Sequence, residues 1–324
     1  MKTLGSLAAL LLALVVPGSA QGAQFPDRDQ TLRLVVPFAA GGGVDSAARL
    51  LAEQLRKQLG MSVVVDNKAG ASGTIGGRFV QAAATDGYTL LFSAATHVLA
   101  DQVLASAPYD PQADFAAVAR VGEAPLMLVV PAKAATPRLS DVLAAARKVD
   151  AQFTAAIPAA GAPSHLATLL LAQQAGVRLT YVPYKGTQPA LTDVAGGHVN
   201  MLLDSMISLL PLAKAGKVRP IAITSMQRSA LAPDVPTVHE SGIANYAYAS
   251  WYGVWAPKGT PADRVSALNM AVNQAVAELS KSGAFAKLGI DAVSETPDQF
   301  RKFIASDVAQ SRELLRSAGF KPEQ

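Results

Sequence analysis

The sequence predicts two α/β domains with a cleft between them, and three observations carry that expectation. Short apolar runs that stop at Pro or Gly alternate with segments of helical periodicity. The alternation comes in two blocks, followed by a helical tail. With 25 Gly and 20 Pro in 324 residues, the chain is too punctuated for a bundle of long helices. Repeated strand–loop–helix units imply right-handed crossovers and a largely parallel sheet. No repeat of solenoid length is visible.

The first block opens with the buried-strand pattern Leu32–Val36, which stops at Pro37. After Gly41-Gly42-Gly43, a helix is expected from about Asp45, with Leu51, Leu55 and Leu59 on one face and Gly60 as its stop. Val63–Val65 is the next strand, a helix near Ile75–Ala83 follows, and Asp86-Gly87 turns into a strand at Tyr88–Phe92. The second block begins with Leu126–Val130. It continues with a helix near Ser140–Val149, a strand at Phe153–Ile157 and a helix from Pro163 to about Ala175. Val182 lies in a strand, Gln188–Ala195 in a helix, Val199–Leu203 in a strand, Met206–Ala215 in a helix and Arg219–Thr224 in a strand.

Two tail helices carry start signals. Thr260-Pro261-Ala262-Asp263 and Thr296-Pro297-Asp298-Gln299 each offer an N-cap hydroxyl, Pro at the first helical position and an acceptor two residues later. Val265, Leu268, Val272, Val276 and Leu279 share one face of the first tail helix and are expected in the core. Ser250–Trp255 holds both tryptophans. It reads as a buried strand with aromatic packing or, more sharply, as a strand bridging the domains with aromatics lining the hinge.

Composition excludes several classes. Half the residues are hydrophobic and 16% charged, too apolar for a disordered chain. The 28 basic and 24 acidic residues form no basic run, so nucleic acid is not an expected partner. With no cysteine, disulfides, thiolate metal sites, thiol nucleophiles and a lipid-modified cysteine are all absent. Met1-Lys2, the apolar run Leu4–Val16 and the small residues Gly18 and Ala20 form the layout of a signal peptide over residues 1–20. That run is too short for a membrane span. A soluble periplasmic protein is the expectation, not itself membrane-anchored.

Pro37–Ser46 carries the chemistry. Glycines between a strand and a helix leave free N–H groups facing one hollow, which suits an anion. Asp45 would repel that anion, so it is expected as the N-cap, accepting from the N–H near Ala48; the alternative role is acceptor for a ligand ammonium. In the second loop, Asn67–Gly77, Gly70 to Gly73 are expected to face the cleft and Gly76-Gly77 to pack closely.

Neither loop completes a cofactor motif. After Gly41 and Gly43, the third position of a dinucleotide fingerprint is Ser46, and no Gly-Lys-Ser/Thr closes the second loop. Gly70-Ala71-Ser72-Gly73 has the wrong spacing for a hydrolase elbow. The histidines (His97, His165, His198, His239) stand in no metal-ligand spacing. No cofactor, metal or catalytic residue is expected.

With these residues set out, the chain resembles the solute receptors of tripartite tricarboxylate transporters. The likeness rests on Val36-Pro37-Phe38 with Gly41-Gly42 and Asp45; on Val65–Lys68 with Gly70-Ala71 and Gly73; and on Asp86–Leu90. Further on it rests on Ser164–Ala167, Val182–Gly186, Pro236-Thr237, Trp251-Tyr252-Gly253 and Ala256–Pro261. The resemblance implies a type II-like periplasmic-binding (Venus flytrap) fold. Residues 24–123 and 251–324 would build one domain and 124–250 the other. It implies a small carboxylate as ligand and a permease of one large and one small membrane subunit as partner; a freely diffusing receptor is expected to be a monomer.

Carried over by position, Phe38, Ala39, Gly41 and Gly42 with Gly70, Ala71 and Gly73 would hold one ligand carboxylate. Thr96 and His97 match another cleft loop, Gly161, Ser164 and His165 start a helix at the cleft, and Asp204 ends a strand facing it. Ala39-Ala40, Ala69 and Ala162-Pro163 depart from the family pattern, the last in the direction of a more apolar acid. Two other functions fit an exported α/β protein: signalling to a membrane sensor kinase, and hydrolysis, which needs a nucleophile and base in contact.

Overall fold

A computed structural model describes residues 25–148 and 152–322. The proposed signal peptide, residues 1–20, lies outside the described residues. The order of elements is β1 (Thr31–Val36), α1 (Gly43–Leu59), β2 (Ser62–Asn67), α2 (Thr74–Gln81), β3 (Thr89–Ser93), α3 (Ala95–Val98), α4 (Ala100–Val103) and β4 (Phe115–Pro131). Then come α5 (Leu139–Ala146), β5 (Thr154–Ile157), α6 (Pro163–Ala175), β6 (Thr180–Pro183), α7 (Thr187–Gly196), β7 (Met201–Ser205), α8 (Met206–Lys214) and β8 (Val218–Ile223). The chain closes with β9 (Ala249–Pro257), α9 (Ala262–Lys281), β10 (Asp291–Ala292) and α10 (Pro297–Ser317).

Two lobes share a sheet whose strands run β2-β1-β3-β9-β4-β7-β5-β6, with β8 and β10 paired to β4 off that path. In the first lobe β1 lies parallel between β2 and β3, and in the second β5 lies parallel between β6 and β7. Such strands are covered on both faces, and Leu34, Val35 and Val36 are fully buried. The expectation of a largely parallel sheet needs correction, because β9, β4, β8 and β10 pair antiparallel. The chain leaves the first lobe along β4 and returns along β9, so the pair that joins the lobes runs in opposite directions.

β4 is also longer than the sequence pattern indicated. Its first half pairs β9 from Phe115 to Pro125, and its second half pairs β7 and β8 from Leu126 to Pro131. Only the second half has the apolar run of a strand. The first half is Ala-rich, with poor strand propensity, and two register irregularities, at Ala117/Ala119 and Arg120/Gly122, break its alternation.

α1 runs as expected: Leu51 and Leu55 are buried, and Gly60 ends the helix at φ 64°, its N–H donating to the Arg56 carbonyl. The start of α10 forms the expected reciprocal cap, with Gln299 N–H donating to Thr296 Oγ1 (3.2 Å) and Thr296 N–H to Gln299 Oε1 (2.9 Å). α9 differs. It starts after Pro261, and the Thr260 hydroxyl donates to the Pro257 carbonyl (2.8 Å), so Thr260 closes the preceding turn instead of capping the helix. Leu268, Val272, Val276 and Leu279 are core as expected.

The two tryptophans settle into packing. Trp251 and Trp255 share one face of β9, 5.9 Å apart, and both rings lie against Phe300 of α10 at 5.8 and 5.3 Å. Losing a buried ring such as Phe300 costs about 3–5 kcal/mol. Tyr252 and Ser250, on the other face of β9, line the cleft.

Candidate functional site

Four helices begin at one cleft between the lobes. Gly42, Gly43 and Val44 at the start of α1 face Pro163 and Ser164 of α6, Gly186 and Thr187 of α7, and Ser205 before α8. Each start leaves N–H groups without an intrahelical partner and carries the positive end of a helix dipole. No Lys, Arg or His is among the described residues lining the cleft. The polar remainder is Thr96, Ser164, Thr187, Ser205, Ser250 and Tyr252, which are all hydroxyls, and Asp204. Hydroxyls both donate and accept, so the wall is more polar than the Ala162-Pro163 substitution suggested.

The first glycine loop is held by Asp45, in a different way from the expected cap. The N-cap of α1 is Gly42. Asp45 sits within the first turn and reaches back: Oδ2 accepts from Gly41 N–H and Arg49 Nε (both 2.9 Å), and Oδ1 accepts from Asn67 Nδ2 (2.9 Å). Asn67 Nδ2 also donates to the Phe38 carbonyl (3.1 Å), tying the loop to the end of β2. Burial opposes ionisation of Asp45, but the bonds from Arg49, Gly41 and Asn67 outweigh it and hold the carboxyl below its usual range. This carboxylate is spent on the protein's own loop.

Gly41 is consumed with it. Its N–H goes to Asp45, and its carbonyl accepts from Gln188 Nε2 (2.8 Å) and from the Ser208 hydroxyl (3.4 Å) across the cleft. Gly41 therefore does not line the cleft, whereas Phe38, Ala39 and Gly42 do.

The second loop lines a smaller adjoining space, shared through Phe38 and Pro158. Gly70, Ala71, Ser72 and Gly73 have φ of 131°, 45°, 50° and 90°. Two non-glycine residues in the left-handed region cost energy that a functional loop often stores. Tyr184 and Lys185 approach from the second lobe. Gly76 and Gly77 pack as expected: a Cβ on Gly76 would stand 2.8 Å from Pro37 Cβ, and one on Gly77 would collide with the Tyr109 phenol.

Thr96, Ser164 and Asp204 line the main cleft; His97, Gly161 and His165 do not. The His97 ring is enclosed by Phe115 (4.5 Å), Trp255 (4.8 Å) and Tyr109 (5.7 Å), and burial pushes its imidazole down to about 3. His165 Nδ1 accepts from Gly161 N–H (3.2 Å) while its ring packs on Tyr181 and Phe320. Burial lowers that imidazole to about 4. Both histidines are neutral scaffold, one filling a core and one pinning the turn before α6.

Asp204 is 8% exposed at the end of β7. Burial raises its carboxyl, offset in part by the Thr187 hydroxyl, which donates to Oδ2 (2.7 Å), and by the Ser205 N–H. The Ser164, Ser205 and Tyr252 hydroxyls are buried and make no hydrogen bond of full geometry, although Ser205 and Ser250 lie close enough to Tyr252 to influence its phenol. Gly43, Thr187, Ser205, Ser250 and Tyr252 also line the cleft and are not among the residues expected there. Thr187 and Ser205 had a usable signal, since each stands where a strand-end loop opens a helix, as Gly42 does.

An α/β protein of two lobes, with helix starts gathered at the cleft between them, belongs to the class of periplasmic binding proteins. Residues 47–320 match the tripartite tricarboxylate transporter family receptor, and the chain belongs to that family. It is 37% identical over 292 residues to protein BugT of Bordetella pertussis, covering 90% of each chain. Among solved structures it resembles the periplasmic binding protein BugD (33% identity, TM-score 0.84, 90% of this chain and 99% of the other). It is also similar to Rpa4515 of R. palustris, solved with adipate (32% identity, TM-score 0.87, 92% and 100%). Among the described residues, no group of three His, Asp or Glu could hold a metal, and no helix is long and apolar enough to cross a membrane.

Proposed function

We propose that this receptor closes its lobes on a small carboxylate held mainly by main-chain N–H groups, and hands it to a permease of one large and one small membrane subunit. The observation that carries the reading is the meeting of four helix starts at a main cleft whose described lining residues include no Lys, Arg or His. Main-chain amides and dipoles bind an anion more gently than charge-assisted pairs do, which suits a carrier that must release its cargo. Adipate in Rpa4515 and malate in MatC of Rhodopseudomonas palustris fit the same ligand class.

The proposal assigns ligand contact to Phe38, Ala39, Gly42, Thr96, Ser164 and Asp204 and to the neighbouring loop Gly70, Ala71 and Gly73. It divides the chain into residues 24–123 with 251–324, and 124–250. The protein acts as a non-catalytic monomer in the periplasm, exported by cleavage after Ala20. A thermal-shift screen over mono-, di- and tricarboxylates, amino acids, esters and sugars tests the ligand class. A carboxylate at about 100 times its Kd adds roughly 2.7 kcal/mol of stability; a response confined to esters or sugars overturns the reading.

A further inference from the structure

We infer that Asp204 selects, among small carboxylates, those that also carry a protonated amine. This deepens the carboxylate reading and rests on it. Asp204 presents a buried carboxylate to the cleft, with no ion pair among the described residues and no Lys, Arg or His on the cleft wall. Asp45, the other acid at this edge, differs because Arg49, Asn67 and the Gly41 N–H neutralise it. Asp204 has, among the described residues, the Thr187 hydroxyl and the Ser205 N–H.

Burial works against ionisation of Asp204, but its contacts, the Ser205 N–H and the Thr187 hydroxyl, can both meet it as donors, and a ligand ammonium beside it would hold the carboxyl in its ionised form. An ionised carboxylate offers about four acceptor positions; Thr187 and Ser205 occupy two. A ligand ammonium fills what remains and supplies the missing countercharge, whereas a second ligand carboxylate there meets a like charge. The surrounding hydroxyls of Ser205, Ser250 and Tyr252 can accept from an ammonium as readily as they donate to a carboxylate. The starts of α1 and α6 are thus left to an anion, while Asp204, which takes up the Thr187 hydroxyl and the Ser205 N–H at the starts of α7 and α8, builds one corner for a cation.

Calorimetry on the full mature chain with two matched pairs tests this: aspartate against succinate, and 4-aminobutyrate against butyrate. The expected result is that the amine-bearing member of at least one pair binds about tenfold or more tighter. In Asp204→Asn, which keeps the shape and the acceptor for Thr187, that ratio falls below about threefold. If the carboxylates bind but neither amine is preferred, or the preference survives in Asp204→Asn, the assignment of Asp204 is wrong while the carboxylate reading stands. If none of the four probes binds while the wider screen returns another carboxylate, the assignment of Asp204 is wrong and the carboxylate reading stands; if the screen returns no carboxylate, that reading has failed and this inference falls with it. The comparison within the unmodified protein decides the matter even where the variant does not fold.

Discussion

Gln188 Nε2 donates to the carbonyl of Gly41 at 2.8 Å, a bond from the start of α7 to the glycine loop before α1. It joins the two lobes at the rim of the cleft, and the loop it grips is stiffened from behind by Asp45. Parting the lobes at this rim would break the bond. Its removal is therefore expected to weaken the closed arrangement, in which the ligand is held.

Gln188→Ala is therefore expected to weaken ligand binding by about two- to tenfold, the range of a single neutral hydrogen bond, mostly through faster dissociation. Stopped-flow dissociation and calorimetry check this. A faster association rate with unchanged dissociation contradicts the latch.

Gly42→Asp places a carboxylate at the mouth of α1. At φ −78° the backbone tolerates a side chain, and its Cβ meets nothing closer than Thr187 Oγ1 at 3.4 Å. Folding should persist by circular dichroism while carboxylate binding is lost. Unchanged affinity would remove the α1 start from the site.

The glycine loop, its helix and the strand before it were legible in the sequence because the glycines, the helix face and the Gly60 stop are local signals. Asp45 was misread for the same reason. Its partner Asn67 meets it only once β2 lies beside β1, and its other partner, the Gly41 N–H, precedes the helix, so a capping rule that looks downstream placed its hydrogen bond on the wrong side. Likewise Ser205, Ser250 and Tyr252 come to the cleft from β7 and β9, far apart in sequence and brought together by antiparallel strands that the parallel expectation left out. His97 carries the opposite lesson: a polar residue in a cleft-loop motif turned into a core, where three aromatic rings hold it.

Asp45→Ser should cost about 2 kcal/mol, because the Gly41 N–H and the Asn67 amide lose a buried acceptor. The pH dependence has a definite sign. The folded carboxyl lies below its ordinary value, so its stabilisation is full above about pH 4 and fades as pH falls further. Denaturant titration at pH 7 and pH 3 should show the difference between wild type and variant shrink in acid.

His97 is neutral in the fold, at about 3 against an ordinary 6.5. The unfolded chain binds a proton there first, so the protein loses about 1.4 kcal/mol per pH unit from this group as pH falls from about 6 toward 4. His97→Phe should flatten that slope and leave ligand affinity within about threefold, measured by pH-dependent melting and calorimetry. A large loss of affinity would return His97 to the site.

The most direct measurement is a crystal structure of the protein with the tightest-binding carboxylate from the screen. The account predicts carboxylate oxygens within hydrogen-bond reach, about 2.7–3.2 Å, of main-chain N–H groups at the starts of α1 and of α6 or α7, with no lysine or arginine side chain paired to them. A carboxylate gripped by Lys185 or another cation, or bound outside the cleft, contradicts it.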